Sequence, residues 1–108
     1  MNDLGTFRFA PLAWNPAAAQ QVAAQEGLTL AQAHWDLVRA LQEFYARNPL
    51  AEIRLRDLQG ALEEKFHHKG GMKYLYTVCP GGPVTQGCRL AGLRPPAGAS
   101  DRGFGSVA

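Results

Sequence analysis

The stretch Thr29–Pro49, TLAQAHWDLVRALQEFYARNP, decides the fold. Leu30, Ala33, His34, Leu37, Val38, Leu41, Phe44 and Tyr45 recur at spacings of three and four, which lines them along one face of a helix. Thr29 offers a side-chain oxygen to cap the first turn. Asn48-Pro49 ends the pattern, because proline lacks an N–H and its ring collides with the turn before it. This is the longest element of the chain, and it needs partners to cover its apolar face.

Those partners are legible on both sides. Upstream, Asn15 followed by Pro16 opens an Ala/Gln-rich helix that Gly27 closes. Downstream, residues 52 to 66 predict a third helix through Ile53, Leu55, Leu58, Leu62 and Phe66, ended by Lys69-Gly70-Gly71. Two short helices are expected near 72–79 and 83–91. Strand-like alternation is absent, apart from a candidate at Thr6 to Ala10. The expected fold is all-α, a small orthogonal bundle of about five helices with short connections. From Arg94 onward Gly, Pro, Ala and Ser dominate with little to bury, so residues 94–108 read as a flexible tail behind a single domain, 1–93.

Composition narrows the function classes. The chain has 108 residues, enough for one core. At 46% hydrophobic and 19% charged it has the balance of a folded globule. A net charge of +2 falls short of the basic footprint of a dedicated nucleic-acid binder. No apolar run reaches the ~18 residues of a membrane span, and the first residues lack a signal-peptide layout, so a cytoplasmic location is the default. The two cysteines, Cys79 and Cys88, suit a reducing compartment in which thiols stay free.

Cys88 is the leading chemical candidate. It stands beside Arg89, about one turn after Gly82-Pro83, and both a cation and a helix start favour a thiolate. The competing reading is a small half-buried helix residue, since cysteine packs as a small hydrophobe. Cys79 next to Val78 reads as core. Arg54, Arg56, Lys73, Arg89 and Arg94 form a candidate positive surface that would draw an acidic partner, although solvated helix faces explain them too. His67-His68 point about 100° apart on a helix and have no further ligand at suitable spacing, so no metal and no cofactor is expected. Trp35, Tyr45, Tyr74 and Tyr76 read as packing. A rival function is DNA binding by a helix-turn-helix-like unit, with Arg54, Arg56 and Lys65 facing phosphates. Asp57, Glu63 and Glu64 interrupt that face.

Several strings occur together in a familiar order: Glu26-Gly27-Leu28, His34-Trp35, Phe44-Tyr45, Ile53-Arg54, Gly71 to Tyr76, and Gly82-Pro83 with Gln86. With Gln86 to Leu93 around Cys88, they resemble the TusE/DsrC/DsvC family of sulfur-relay proteins over residues 12 to 98. The resemblance implies a helical fold. It also implies transfer of persulfide sulfur between partners, with sulfurtransferase or sulfite-reductase-like proteins as those partners. It places Cys88 at the family's second cysteine and Arg54 and Lys73 at matched positions. With Arg89 and Arg94 they make the partner-binding set. The resemblance implies a carrier or regulator rather than a stand-alone enzyme. There are two departures. After Pro95-Pro96-Ala97-Gly98, where the family carries its terminal cysteine, this chain has Ala99 and continues. The family's N-terminal β-hairpin segment is expected to be truncated, because only a short segment precedes Leu12.

Overall fold

The computed structural model describes residues 7–99. Among them are five α-helices and no strand: α1 (Pro16–Glu26), α2 (Gln32–Arg47), α3 (Leu55–Lys65), α4 (Gly71–Val78) and α5 (Thr85–Ala91). Short 3-10 turns at Leu50–Glu52 and His67–Lys69 lead into α3 and α4. The all-α expectation holds. α5 lies against α2 and α1, while α3 and α4 pack on each other. One core of Leu37, Val38, Leu41, Leu58, Leu62, Leu75 and Leu90 joins the two groups.

α1 follows the sequence reading closely. Asn15 Oδ1 accepts from the Ala18 N–H at 2.9 Å, Pro16 takes the first helical position, and Gly27 closes the helix at φ 72°. α2 begins later than expected. Thr29 lies outside it, and the first turn is secured from within: the Ala31 N–H donates to His34 Nδ1 at 2.9 Å. Since that nitrogen accepts, the other one donates, and His34 Nε2 meets the Val78 carbonyl at 2.9 Å.

α3 is also shorter than expected. Ile53 is buried but sits in extended backbone after the 3-10 turn, its N–H bonded to the Leu50 carbonyl at 3.1 Å. α5 starts close to the helix start expected at Gly82-Pro83, and the N–H groups of Gln86 and Gly87 bond the carbonyls of Gly82 and Pro83 at 2.8 and 3.1 Å. Phe7 to Ala10 form a turn closed by Ala10 N–H to the Phe7 carbonyl, not a strand; Thr6 lies outside the described residues.

Two glycines let α5 sit this deep. A Cβ on Gly87 would fall 2.8 Å from Leu41 Cδ1, so the missing side chain allows α2 and α5 to close. Gly92 ends α5 at φ 76°, and a Cβ there would fall 2.7 Å from Trp14 Cδ1. Trp14 uses this proximity to donate its Nε1–H to the Leu90 carbonyl at 2.8 Å. Beyond Gly92 the chain stays against the body. Tyr45 holds the Arg94 carbonyl, Pro96 is buried, and Ala99 packs against the core. Burial of Pro96 and packing of Ala99 offset part of the ordering entropy of residues 94–99. Positions 100–108 of the expected tail lie outside the described residues.

Candidate functional site

Cys88 sits mid-way along α5 with its side chain turned inward, where Gly87 and Leu90 pack against α2 and the core. It is 0% exposed. Its Sγ lies 3.6 Å from the Tyr45 hydroxyl, which donates to the Arg94 carbonyl at 2.6 Å. Burial pushes the Cys88 thiol up to about 11, while the Tyr45 hydroxyl and the Arg89 charge pull the other way. The sequence reading expected Arg89 and the helix start to favour the thiolate. That expectation is corrected here, because loss of water around the sulfur outweighs both. Cys79 is buried as expected, and its thiol is pushed up to about 12 by the same desolvation. Both cysteines are free.

Arg89 is engaged within the fold. Its Nε donates to Glu26 Oε2 at 2.6 Å and its Nη2 to Oε1 at 3.2 Å. Gln86 Nε2 donates to the same carboxylate at 2.7 Å, and Gln86 Oε1 accepts from the Gly81 N–H at 2.9 Å. The Arg89 hydrogen bond holds Glu26 below its usual value. This clasp fastens α1, α5 and the Gly81-Gly82 turn together, so Arg89 does not present a separate cation to a partner.

Arg54, Lys73 and Arg94 are exposed. Arg54 immediately precedes α3, Lys73 lies on α4, and Arg94 follows α5. A cleft of about 460 Å³ opens between α3, α4, the Pro80–Thr85 turn and Gly98-Ala99. Leu55 and Met72, the chain neighbours of Arg54 and Lys73, line it. Tyr76, read as packing, lines it as well and is 52% exposed; Tyr74 packs against Phe66. Cys88 does not open into this cleft.

Four residues matter more than the sequence reading allowed: Glu26, His34, Tyr45 and Gln86. Each had been singled out as part of a familiar string, and each makes a bond to a residue far along the chain. The signal was present in the strings themselves. Scattered polar matches on otherwise apolar helices mark places where buried polar groups find partners.

The chain matches the DsrC-like protein family over residues 3–99. It is 41% identical over 85 residues to the sulfurtransferase TusE of Salmonella paratyphi A, covering 77% of this chain and 76% of that one. It is 40% identical over 85 residues to the sulfurtransferase TusE of Yersinia pseudotuberculosis, covering 77% of each. The solved structure of Allochromatium vinosum DsrC superimposes with a TM-score of 0.66 at 40% identity, over 81% of this chain and 78% of that one.

The chain belongs to the DsrC-like family.

Its clasp and its Tyr45–Cys88 pair therefore sit in a fold shared with sulfur-transfer proteins. The DNA-binding alternative gains no support. None of these relatives is described by a nucleic-acid role, and α3 mixes Arg56 and Lys65 with Asp57, Glu63 and Glu64. Among the described residues no helix is long and apolar enough to cross a membrane.

Proposed function

We propose that this DsrC-like chain takes part in cytoplasmic sulfur relay as a docking member, binding sulfurtransferase or sulfite-reductase-like proteins through residues 1–93 and the start of the segment that follows. Arg54, Lys73 and Arg94, beside the cleft between α3, α4 and the Pro80–Thr85 turn, supply the charge that draws an acidic partner surface. The observation that carries this reading is the contrast between three exposed cations and a completely buried Cys88 sulfur. In the closed fold Cys88 remains a thiol and is not presented to a donor.

A second reading has one observation in its favour. Tyr45 and Arg89 both pull the Cys88 thiol down, so opening of the Arg94 segment would remove the opposing effect of burial and free a thiolate. That thiolate would attack the outer sulfur of a donor persulfide. A new S–S bond would form on Cys88, the donor's S–S bond would break, and the donor would leave as a thiolate.

Incubation with a sulfurtransferase and a sulfur donor, followed by intact-mass measurement and a binding assay, separates the two. Docking predicts binding that weakens in the Arg54→Glu, Lys73→Glu double variant and with added salt, with no mass gain on the chain. A gain of one sulfur atom that vanishes in Cys88→Ala would replace docking alone by carriage. Binding indifferent to both lysine and arginine reversal would remove the proposed face.

A further inference from the structure

We propose that the Tyr45 hydroxyl links the protonation of the Cys88 thiol to the position of the chain at Arg94, making Tyr45 a positioning residue for the docking segment. A tyrosine hydroxyl has a single proton, and at 2.6 Å that proton goes to the Arg94 carbonyl. Towards Cys88 Sγ, 3.6 Å away, the hydroxyl oxygen can then only accept. The sulfur must donate, and the three groups form one directed chain: Cys88 S–H to Tyr45 oxygen, Tyr45 O–H to Arg94 carbonyl.

Ionisation of the thiol reverses this order. When Cys88 gives up its proton to a base in solvent, the sulfur has no hydrogen left to donate and becomes the strongest acceptor within reach of Tyr45. A hydrogen bond to a charged acceptor is roughly twice as strong as a neutral one, so the Tyr45 O–H turns about its C–O bond from the carbonyl to the sulfur. The Arg94 carbonyl loses its partner. No electrons move; one proton goes to solvent and one hydrogen bond changes direction.

The surroundings suit this exchange. Tyr45 is held in its neutral form by desolvation and by the adjacent sulfur, so it stays a donor while the thiol titrates. The charged groups around the sulfur are Arg89 on α5 and, through it, Glu26 on α1, which are paired with each other. Tyr45 comes from α2, so a change at α5 reaches Arg94 through a third element. Gly98 and Ala99, a few residues on, line the cleft, so a shift at Arg94 moves part of its wall. The consequence for docking rests on the proposed function; the link itself rests only on the three bonded groups.

The test follows the Arg94 carbonyl carbon and the Cys88 Cβ by solution NMR on the full chain, across the pH range in which the thiol ionises. Both signals should move together with one midpoint. In Tyr45→Phe the Cys88 midpoint should rise, by on the order of one pH unit, and the Arg94 signal should stop following it. In Cys88→Ser, which keeps a hydroxyl donor but does not ionise there, the Arg94 signal should remain flat. An Arg94 signal that is flat in the unaltered chain, or that steps in Cys88→Ser as well, overturns the link, and the Cys88→Ser series decides even if Tyr45→Phe folds poorly. Partner binding measured on both sides of the midpoint separates the two claims. Coupled NMR signals with unchanged binding support the link and overturn only the docking role of Arg94.

Discussion

The α3–α4 pair and the seam of α1 and α2 with α5 are held by different physics. In the first, neighbouring helices meet through Leu58, Leu62, Phe66 and Leu75, and the polar contribution is local: Glu63 Oε1 accepts from the Met72 N–H at 2.8 Å, nine positions along. In the second, polar side chains reach across the chain. Glu26 and Arg89 are 63 positions apart, and Gln42 and Ala91 49. The contrast teaches that an apolar helix pair is specified by volume and periodicity, whereas a buried polar seam is specified by directional bonds between distant positions. The Cys88–Tyr45 pair lies on the seam, whereas the cleft flanked by Arg54 and Lys73 opens beside the α3–α4 pair.

The largest effect that would sharpen the contrast is Leu58→Ala. Leu58 is fully buried, and its truncation leaves a void that the core fills only in part. Chemical unfolding should show a loss of about 2–5 kcal/mol with no dependence on pH. A loss below about 1 kcal/mol would mean that the α3–α4 pair repacks freely and is less volume-specified than described.

On the seam, Glu26→Gln should cost about 1–3 kcal/mol near neutral pH, because Arg89 and Gln86 lose a charged acceptor. Here the dependence on pH is the signature. The folded pKa of Glu26 lies below its ordinary value of 4.5, so its contribution is full above that value and is lost as pH falls through the lowered folded value. The gap between the two proteins should therefore narrow on acidification. A gap that stays constant into acid would show that the clasp acts by shape rather than by charge.

The smallest effect has the opposite sign. Gly60 lies inside α3 on an exposed face, and a Cβ there meets nothing within 4 Å. Gly60→Ala should raise stability by about 0.5–1 kcal/mol by lowering the backbone freedom lost on folding. Thermal melting would detect it, and a decrease would reveal a neighbour that the packing does not show.

The sequence made the local elements readable wherever the cause lay within a few residues. The Asn15, Pro16 and Gly27 signals place α1, and Asn48-Pro49 ends α2 where expected. Errors arose where a distant or backbone-mediated bond took over. His34 secures the start of α2 in place of Thr29, and Ile53 is buried without being helical. At the site, its neighbours in the chain single out Cys88, but Arg89 and the nearby helix start point its acidity the wrong way. The water-excluding pack of α2 against α5, which makes the thiol a weaker acid, is assembled from residues more than forty positions away.

By itself, then, the sequence determined the all-α class, the helix face built on Leu37 and Leu41, and the order of strings that marks a DsrC-like chain. Helix periodicity and caps act over one or two turns, so they are written in adjacent residues. Tertiary structure alone decided that Arg89 closes on Glu26, that Tyr45 stands between Cys88 and Arg94, and that the sulfur is shut away from water. Desolvation and hydrogen-bond direction depend on which surfaces meet, and that is settled only when the whole chain has folded.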